Sequence, residues 1–287
     1  MKDRKSGTFL LAPAICLVGG LLVLPLAKIV EESFRLFEPG RIGSSETSAL
    51  TGANYTDLLH PAYLNYFVDT FRFGIICSGL SVALGLPMAH LLVRRCPPKL
   101  RNVLLGVLIG GLFLNSLSRV YAIQLTLGPT GLEKLISGFL GISSNGRLYT
   151  DLLVSLGLLH SLIPISVITL IGTVQNTDPR LVEAAQSLGA SRWRSHLTVT
   201  LPLSLPGLLS AFLISLTLCL GAFLVPLVLG KGKVIFLSNL IYSRFSEISN
   251  YPSGSAVAVV MVLLSLACVM ALMRVARMNV TRARSQP

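Results

Sequence analysis

An all-α membrane protein is the fold class that the sequence predicts, on three observations. The chain is 52% hydrophobic and only 13% charged over 287 residues, with a mean hydropathy of +0.73, outside the balance of a soluble domain of this length. Apolar runs long enough to cross a hydrocarbon layer of about 30 Å recur along it. Basic residues gather in alternate connecting segments, which is the charge pattern of membrane topology.

The runs cover residues 9–29, 68–93, 103–127, 152–171, 205–229 and 256–275, which predicts about six spans at the ~20 residues that a crossing helix needs. The first follows a basic start, "MKDRKSGTFLLAPAICLVGGLLVLPLAKIV". Its apolar part is too long for a signal-peptide core and no small-residue cleavage site follows, so a retained helix is expected. Residues 30–67 then form an outer segment rich in turn-formers, whose Tyr55, Tyr63, Tyr66 and Phe67 fit an interfacial aromatic belt. The second and third runs are joined by "VRRCPPKLRN", where Pro97 and Pro98 cannot continue a helix. Small residues such as Gly106 and Gly110 allow close helix approach. Pro87, Pro164 and Pro226 fall inside runs, and the carbonyls they free need protein or a cavity beside them.

One alternating set of segments holds Lys2, Arg4, Lys5, Arg94, Arg95, Lys99, Arg101, Arg180, Arg192, Arg194, Arg274, Arg277, Arg282 and Arg284, with Asp3, Asp178 and Glu183 as its acids. The other holds Glu31, Glu32, Glu38, Glu46, Asp57, Glu133 and Glu247, diluted by Lys134, Arg147, Lys231, Lys233 and Arg244. The positive-inside bias puts both termini in the cytoplasm. The formal charge of +12 is therefore a topology signal, and no nucleic-acid partner is expected. Cys16, Cys77, Cys96, Cys219 and Cys268 are scattered, which implies neither a disulfide framework nor a metal site. His90, His160 and His196 are too dispersed for metal ligation. No phosphate-binding Gly-x-x-x-x-Gly-Lys-[Ser/Thr] loop is present: "LGKGKV" at residues 229–234 lacks the first Gly and the hydroxyl residue. No catalytic constellation appears, so the chain is expected to carry no catalysis and no cofactor of its own.

The segment before the fifth run, "EAAQSLGASRWRSHLTVTLPLSLPG", interrupts the membrane pattern. Asp178 and Pro179 read as N-cap and first helical position. Leu181, Ala184, Ala185 and Leu188 then share a face at helical spacing, and Gly189 stops the helix. Ser191 caps a second short helix running to Pro202. An interfacial helix with Trp193 and the arginines on anionic lipid is one reading. A small-residue face of Ala, however, anchors poorly in lipid and suits close seating in a protein groove.

These residues resemble the signature loop of permease subunits of binding-protein-dependent ABC importers: Glu183, Ala184, Ala185, then Gly189, then Val199, Leu201 and Pro202 at matching spacing, with Val199 in place of Ile. The resemblance implies a type I ABC importer permease fold in a single domain over 1–287, in the bacterial inner membrane, with a coupling loop at about 178–203. It also implies partners: a second permease subunit, two cytoplasmic ATPase subunits that hold the ATP and Mg, a periplasmic or extracellular solute-binding protein, and membrane lipid. Glu183, Ala184, Ala185, Leu188, Gly189 and Arg192 would then contact the ATPase.

Over most of the chain the resemblance is to the spermidine/putrescine branch, carried by "SRVYAIQLTLGPTGLEKLI", "LGAFLVPLVLGKGK" and "YPSGSAVAVV". Val120 and Ile123 depart from it, standing where Thr and Trp are more usual. It implies a small polar organic solute, either a polyamine or an amino-acid-like or opine-like compound. Candidates for the pathway or for binding-protein contact are Arg119, Tyr121, Arg72, Asn115, His160 and Phe223. Arg119 follows Arg101 by about 27 Å of continuous helix, and Arg72 precedes Arg94 by about 33 Å, which would set both near the outer face. His160 and Asn115 would lie near the midplane, where an interhelical hydrogen bond is the plainer role. The rivals are an ATP-independent secondary transporter or channel, which would need midplane ionisable groups, and a membrane scaffold.

Overall fold

The computed structural model describes residues 3–41, 43–45 and 48–284, of which residues 3–12, 14–16 and 275–284 are described by backbone only. Lys2, Glu46 and the side chains of Asp3, Arg4, Lys5, Cys16, Arg277, Arg282 and Arg284, all used in the charge and cysteine readings, lie outside the described residues. In chain order the helices are α1 (Asp3–Ser33), α2 (Ala53–Asp57), α3 (Leu64–Arg94), α4 (Pro98–Phe113), α5 (Ser116–Leu127), α6 (Glu133–Leu140), α7 (Arg147–Gln175), α8 (Pro179–Ser187), α9 (Arg192–Ser195), α10 (Leu201–Leu220), α11 (Leu224–Leu229), α12 (Leu237–Tyr242) and α13 (Tyr251–Arg284). The described residues form no strand.

Four segments among them are long and apolar enough to cross a membrane: Pro61–Arg94, Arg147–Gln175, Arg192–Leu220 and Tyr251–Arg274. The pair α4 and α5 makes a fifth if its members count as one span. The first apolar run is helical in α1, with the side chains of residues 9–12 and 14–16 outside the described residues. The count is thus slightly below the expected six or so among the described residues, and two of the runs depart from their expected course.

The third run breaks at Leu114, whose ψ of 138° leaves the helix, and Asn115 starts a new one by accepting the Leu117 N–H at 2.8 Å. The axes of α4 and α5 differ by 98°. Composition alone reads this run as continuous, whereas the Asn115-Ser116 pair is an N-cap signal that overrides it.

The fifth run is shifted. Its helix does not stop at Pro202; it begins at Arg192 and runs to Leu220 through a π-helical turn at His196–Thr200. Proline clashes with the carbonyl four residues back and offers it no N–H. The widened turn, a feature often found at functional positions, accommodates Pro202 without ending the helix. At the other end Gly221 and Phe223 separate α10 from the short α11.

Contacts divide the chain into two compact units, residues 1–64 with 237–264 and residues 65–236 with 265–287. In the first, the outer segment folds back on the end of α1: Tyr55 OH lies 2.6 Å from Ser33 Oγ, and the Asn54 amide donates to the carbonyls of Ser33 and Arg35, both at 2.9 Å. Arg244 donates to Tyr63 OH and stacks over its ring at 5.5 Å. Tyr55 and Tyr63 are thus held by specific polar partners in addition to any interfacial role.

The second unit is built on α3, α7 and α10. Ser81, Ser166 and Ser215 link the three helices through hydroxyl contacts of 2.9 and 3.0 Å. Such bonds contribute only about 0.6 kcal/mol each in a membrane protein, so close packing carries more of the stability. At Gly207 a Cβ would sit 1.9 Å from Thr173 Oγ1 and 2.7 Å from Thr173 Cβ, so α10 meets α7 at a point where only glycine fits. Asp69, buried to 1% exposure, accepts from Arg147 at 2.6 Å, while Arg72 bridges Asp69 at 3.5 Å and Asp151 at 2.9 Å. This four-charge cluster ties the first turns of α3 to those of α7.

Candidate functional site

The loop between α7 and α10 is built as its residues dictate. Asp178 caps α8 by accepting the Arg180 N–H at 2.9 Å. Gly189 takes φ +93°, and the N–H groups of Gly189 and Ala190 turn back onto the carbonyls of Gln186 and Ala185 at 2.9 and 3.1 Å. These bonds satisfy carbonyls that a helix end otherwise leaves free. Ser191 Oγ then accepts the Arg194 N–H at 3.4 Å and opens α9. The chain therefore makes a helix, a left-handed stop, and a second helix that continues into α10.

Within this chain the outer face of the loop has little to cover it. Leu188 is 89% exposed and Trp193 81%, and Leu181 and Ala184 are exposed as well. Ala185 is half-buried, and Glu183, Gly189 and Arg192 are exposed. Apolar side chains this open, on a helix with capped ends, form a surface shaped before anything docks on it.

The second group of candidates gathers around Arg119. Its guanidinium donates to Ser161 Oγ on α7 and to Ser116 Oγ on its own helix, both at 3.2 Å. Its Nε is buried without a hydrogen-bond partner. Ser161 is the midpoint of the 29-residue α7, about 21 Å from either end at the helical rise. The straight-helix count that set Arg119 near the outer face is corrected by the bend at Leu114, which turns α5 across the bundle and brings Arg119 to the level of the middle of α7. Arg119 and Phe223 line one cavity of about 590 Å³, with Ser116, Ser161 and Cys219 among apolar neighbours. A second, of about 520 Å³, touches Arg119 and His160.

The remaining candidates separate from this group. Arg72 is engaged by Asp69 and Asp151 and lies in the four-charge cluster. Asn115 spends its side-chain oxygen on capping α5, within its own helix. His160 is exposed and makes no side-chain hydrogen bond among the described residues, and Tyr121 is half-exposed on α5. Ser161, which sequence reasoning passed over, is the group that fixes Arg119; its only signal was a hydroxyl next to a mid-span histidine. No group of His, Cys, Asp and Glu among the described residues could hold a metal ion.

The chain is thus a helical membrane protein with an exposed capped loop that runs straight into a spanning helix, and a largely apolar cavity holding Arg119 beside a broken helix. The chain belongs to the family of binding-protein-dependent transport system inner membrane components, whose pattern matches residues 81–284. It is the multi-pass permease subunit of an ABC importer. It is 32% identical over 212 residues to the spermidine/putrescine transport system permease protein PotB of Haemophilus influenzae, covering 73% of this chain and 74% of that protein. Identity to PotB of Escherichia coli is 29% over 250 residues, 85% of this chain and 90% of the relative. The fold matches a chain of the bacterial alginate ABC transporter in complex with alginate pentasaccharide-bound periplasmic protein, with a TM-score of 0.75, 16% identity and 97% of each chain covered.

Proposed function

We propose that this permease moves a small polar organic solute, a polyamine or an amino-acid-like or opine-like compound, by ATP-driven alternating access. The chain works as one permease domain over residues 1–287, both termini in the cytoplasm, paired with a second permease subunit in membrane lipid. Two separate ATPase subunits hold the ATP and Mg and hydrolyse it. A solute-binding protein delivers the cargo from the opposite face.

The observation that carries this reading is the loop itself: open apolar residues on one side, a helix without a break on the other. Glu183, Ala184, Ala185, Leu188, Gly189 and Arg192 seat on the ATPase. A displacement of the segment at Arg192 passes into α10 because the π turn keeps it in one helix with Leu220. Arg119 and Phe223 line the route, and Arg119 is the charged group of a wall that is apolar apart from Ser116 and Ser161. Arg72, bound by two carboxylates, serves the frame of α3 and α7. Tyr121, Asn115 and His160 flank the route on α5, its cap and α7.

ATP-dependent uptake by the complex reconstituted with its binding protein tests the proposal. Uptake that needs ATP and the binding protein supports it. Uptake that runs without ATP supports the secondary-transporter reading instead.

A further inference from the structure

Behind the loop between α7 and α10 lies a cavity of about 410 Å³, partly lined by loop residues Glu183 and Arg192. Its walls carry His90, Arg94 and Arg95 from the end of α3, and Arg192 and His196 from α9 and the π turn. Asp178 and Glu183 are its acids. Arg94 is committed, donating to the carbonyls of Val174, at 2.7 Å, and Thr177 at the end of α7. Asp178 is committed as the cap of α8. Arg95 and Arg192 form no ion pair among the described residues, although both line the same space. The rings of His90 and His196 meet edge to face with centroids 5.0 Å apart, and His196 Nδ1 lies 3.0 Å from Thr200 Oγ1. That leaves one nitrogen of His196 and the ring of His90 for a ligand.

Two guanidinium groups outside any ion pair among the described residues and two imidazoles line this space from two elements, the end of α3 and the α9–α10 helix. Two guanidinium groups against the one uncommitted carboxylate, Glu183, leave the space with an excess of positive charge, which favours an anion there. Guanidinium groups match the oxygens of a phosphate two at a time. At about 30 Å³ per water, the cavity has room for a phosphate group and several waters. It also opens among the basic residues that flank the spans, where anionic headgroups concentrate.

We propose that this cavity binds a phosphate-bearing anion, held by Arg95 and Arg192 with His90 and His196 beside them. The bound group joins the end of α3 to the first turn of the α9–α10 helix and so restrains the coupling segment at its base. Either a phospholipid headgroup or free inorganic phosphate supplies this chemistry.

The test uses the purified importer complex, without ATP or transported solute, and the same native mass spectra count the ATPase subunits, so that loss of an ATPase from an Arg192 variant is told apart from loss of the anion. Native mass spectrometry counts retained phosphatidylglycerol against phosphatidylcholine, and thermal unfolding is followed against inorganic phosphate. The variants are Arg95→Gln with Arg192→Gln, and Lys99→Gln as a control on the same basic segment, all at exposed positions. Retention of phosphatidylglycerol at least tenfold above the double variant, unchanged in Lys99→Gln, supports a lipid headgroup. A phosphate-dependent rise in Tm lost only in the double variant supports free phosphate. Equal lipid retention and equal phosphate response in all three proteins overturns the proposal, as does an equal loss in Lys99→Gln.

Discussion

At the scale of the residue, Arg119 and Gly189 carry the clearest consequences. Arg119 holds two serines with charge-assisted hydrogen bonds, each worth about 1.5–3 kcal/mol. Arg119→Ala is expected to lower uptake on the order of tenfold or more, with the ATPase subunits still bound to the complex. Arg119→Lys restores part of it by keeping the charge. Unchanged uptake in Arg119→Ala would return the residue to a purely structural place. Gly189 sits at φ +93°, with nothing within 4 Å of a Cβ built on it. A Val there meets no neighbour and suffers only backbone strain, which β-branching makes worse. Gly189→Val should therefore insert and fold but lose most coupling to ATP hydrolysis. Normal stimulated ATPase activity in that variant would contradict the left-handed stop as a requirement. The caps at Asp178 and Ser191 and the stop at Gly189 were legible in the sequence because each is a local rule, set by a residue and its neighbours along the chain. The depth of Arg119 was not legible, because it depends on a bend and on Ser161, which lies 42 residues away.

At the scale of the element, the helices follow the sequence where composition decides and depart from it where a single residue redirects the backbone. The runs at residues 68–93, 152–171 and 256–275 each fall within one helix, α3, α7 and α13. The composition of the runs at residues 103–127 and 205–229 predicts one span each, because apolar residues continue through them. Asn115 breaks the first by capping, and Gly221 with Phe223 breaks the second. Pro202 looked like an end, yet a π turn absorbs it; whether a helix stops at proline or widens before it depends on what the following turns pack against. For α10 that packing is the contact of Gly207 with Thr173 on α7. Gly207→Ala is expected to cost about 1–3 kcal/mol by overpacking, read as a lower Tm of the solubilised protein. Thr173→Ala in the same chain should recover part of the loss, since it removes the nearer atoms. Additive losses in the double variant would show that the two positions do not press on each other.

At the scale of the whole molecule, the proposed coupling rests on two features: open apolar residues on the loop, and one continuous helix from Arg192 to Leu220. The family was legible because the loop's residues keep fixed spacing over a short stretch. The members of the central cavity come from α4, α5, α7, α10 and α11, and no spacing along the chain announces such a meeting. The proposal turns on Glu183, which is exposed, on α8, and outside every ion pair among the described residues. The most direct measurement is ATP hydrolysis by the reconstituted complex, with and without loaded binding protein, for Glu183→Lys beside the unaltered chain. The variant is expected to reach the membrane in normal amount and to lose its stimulation. A variant stimulated as strongly as the unaltered complex would contradict the docking of this loop on the ATPase.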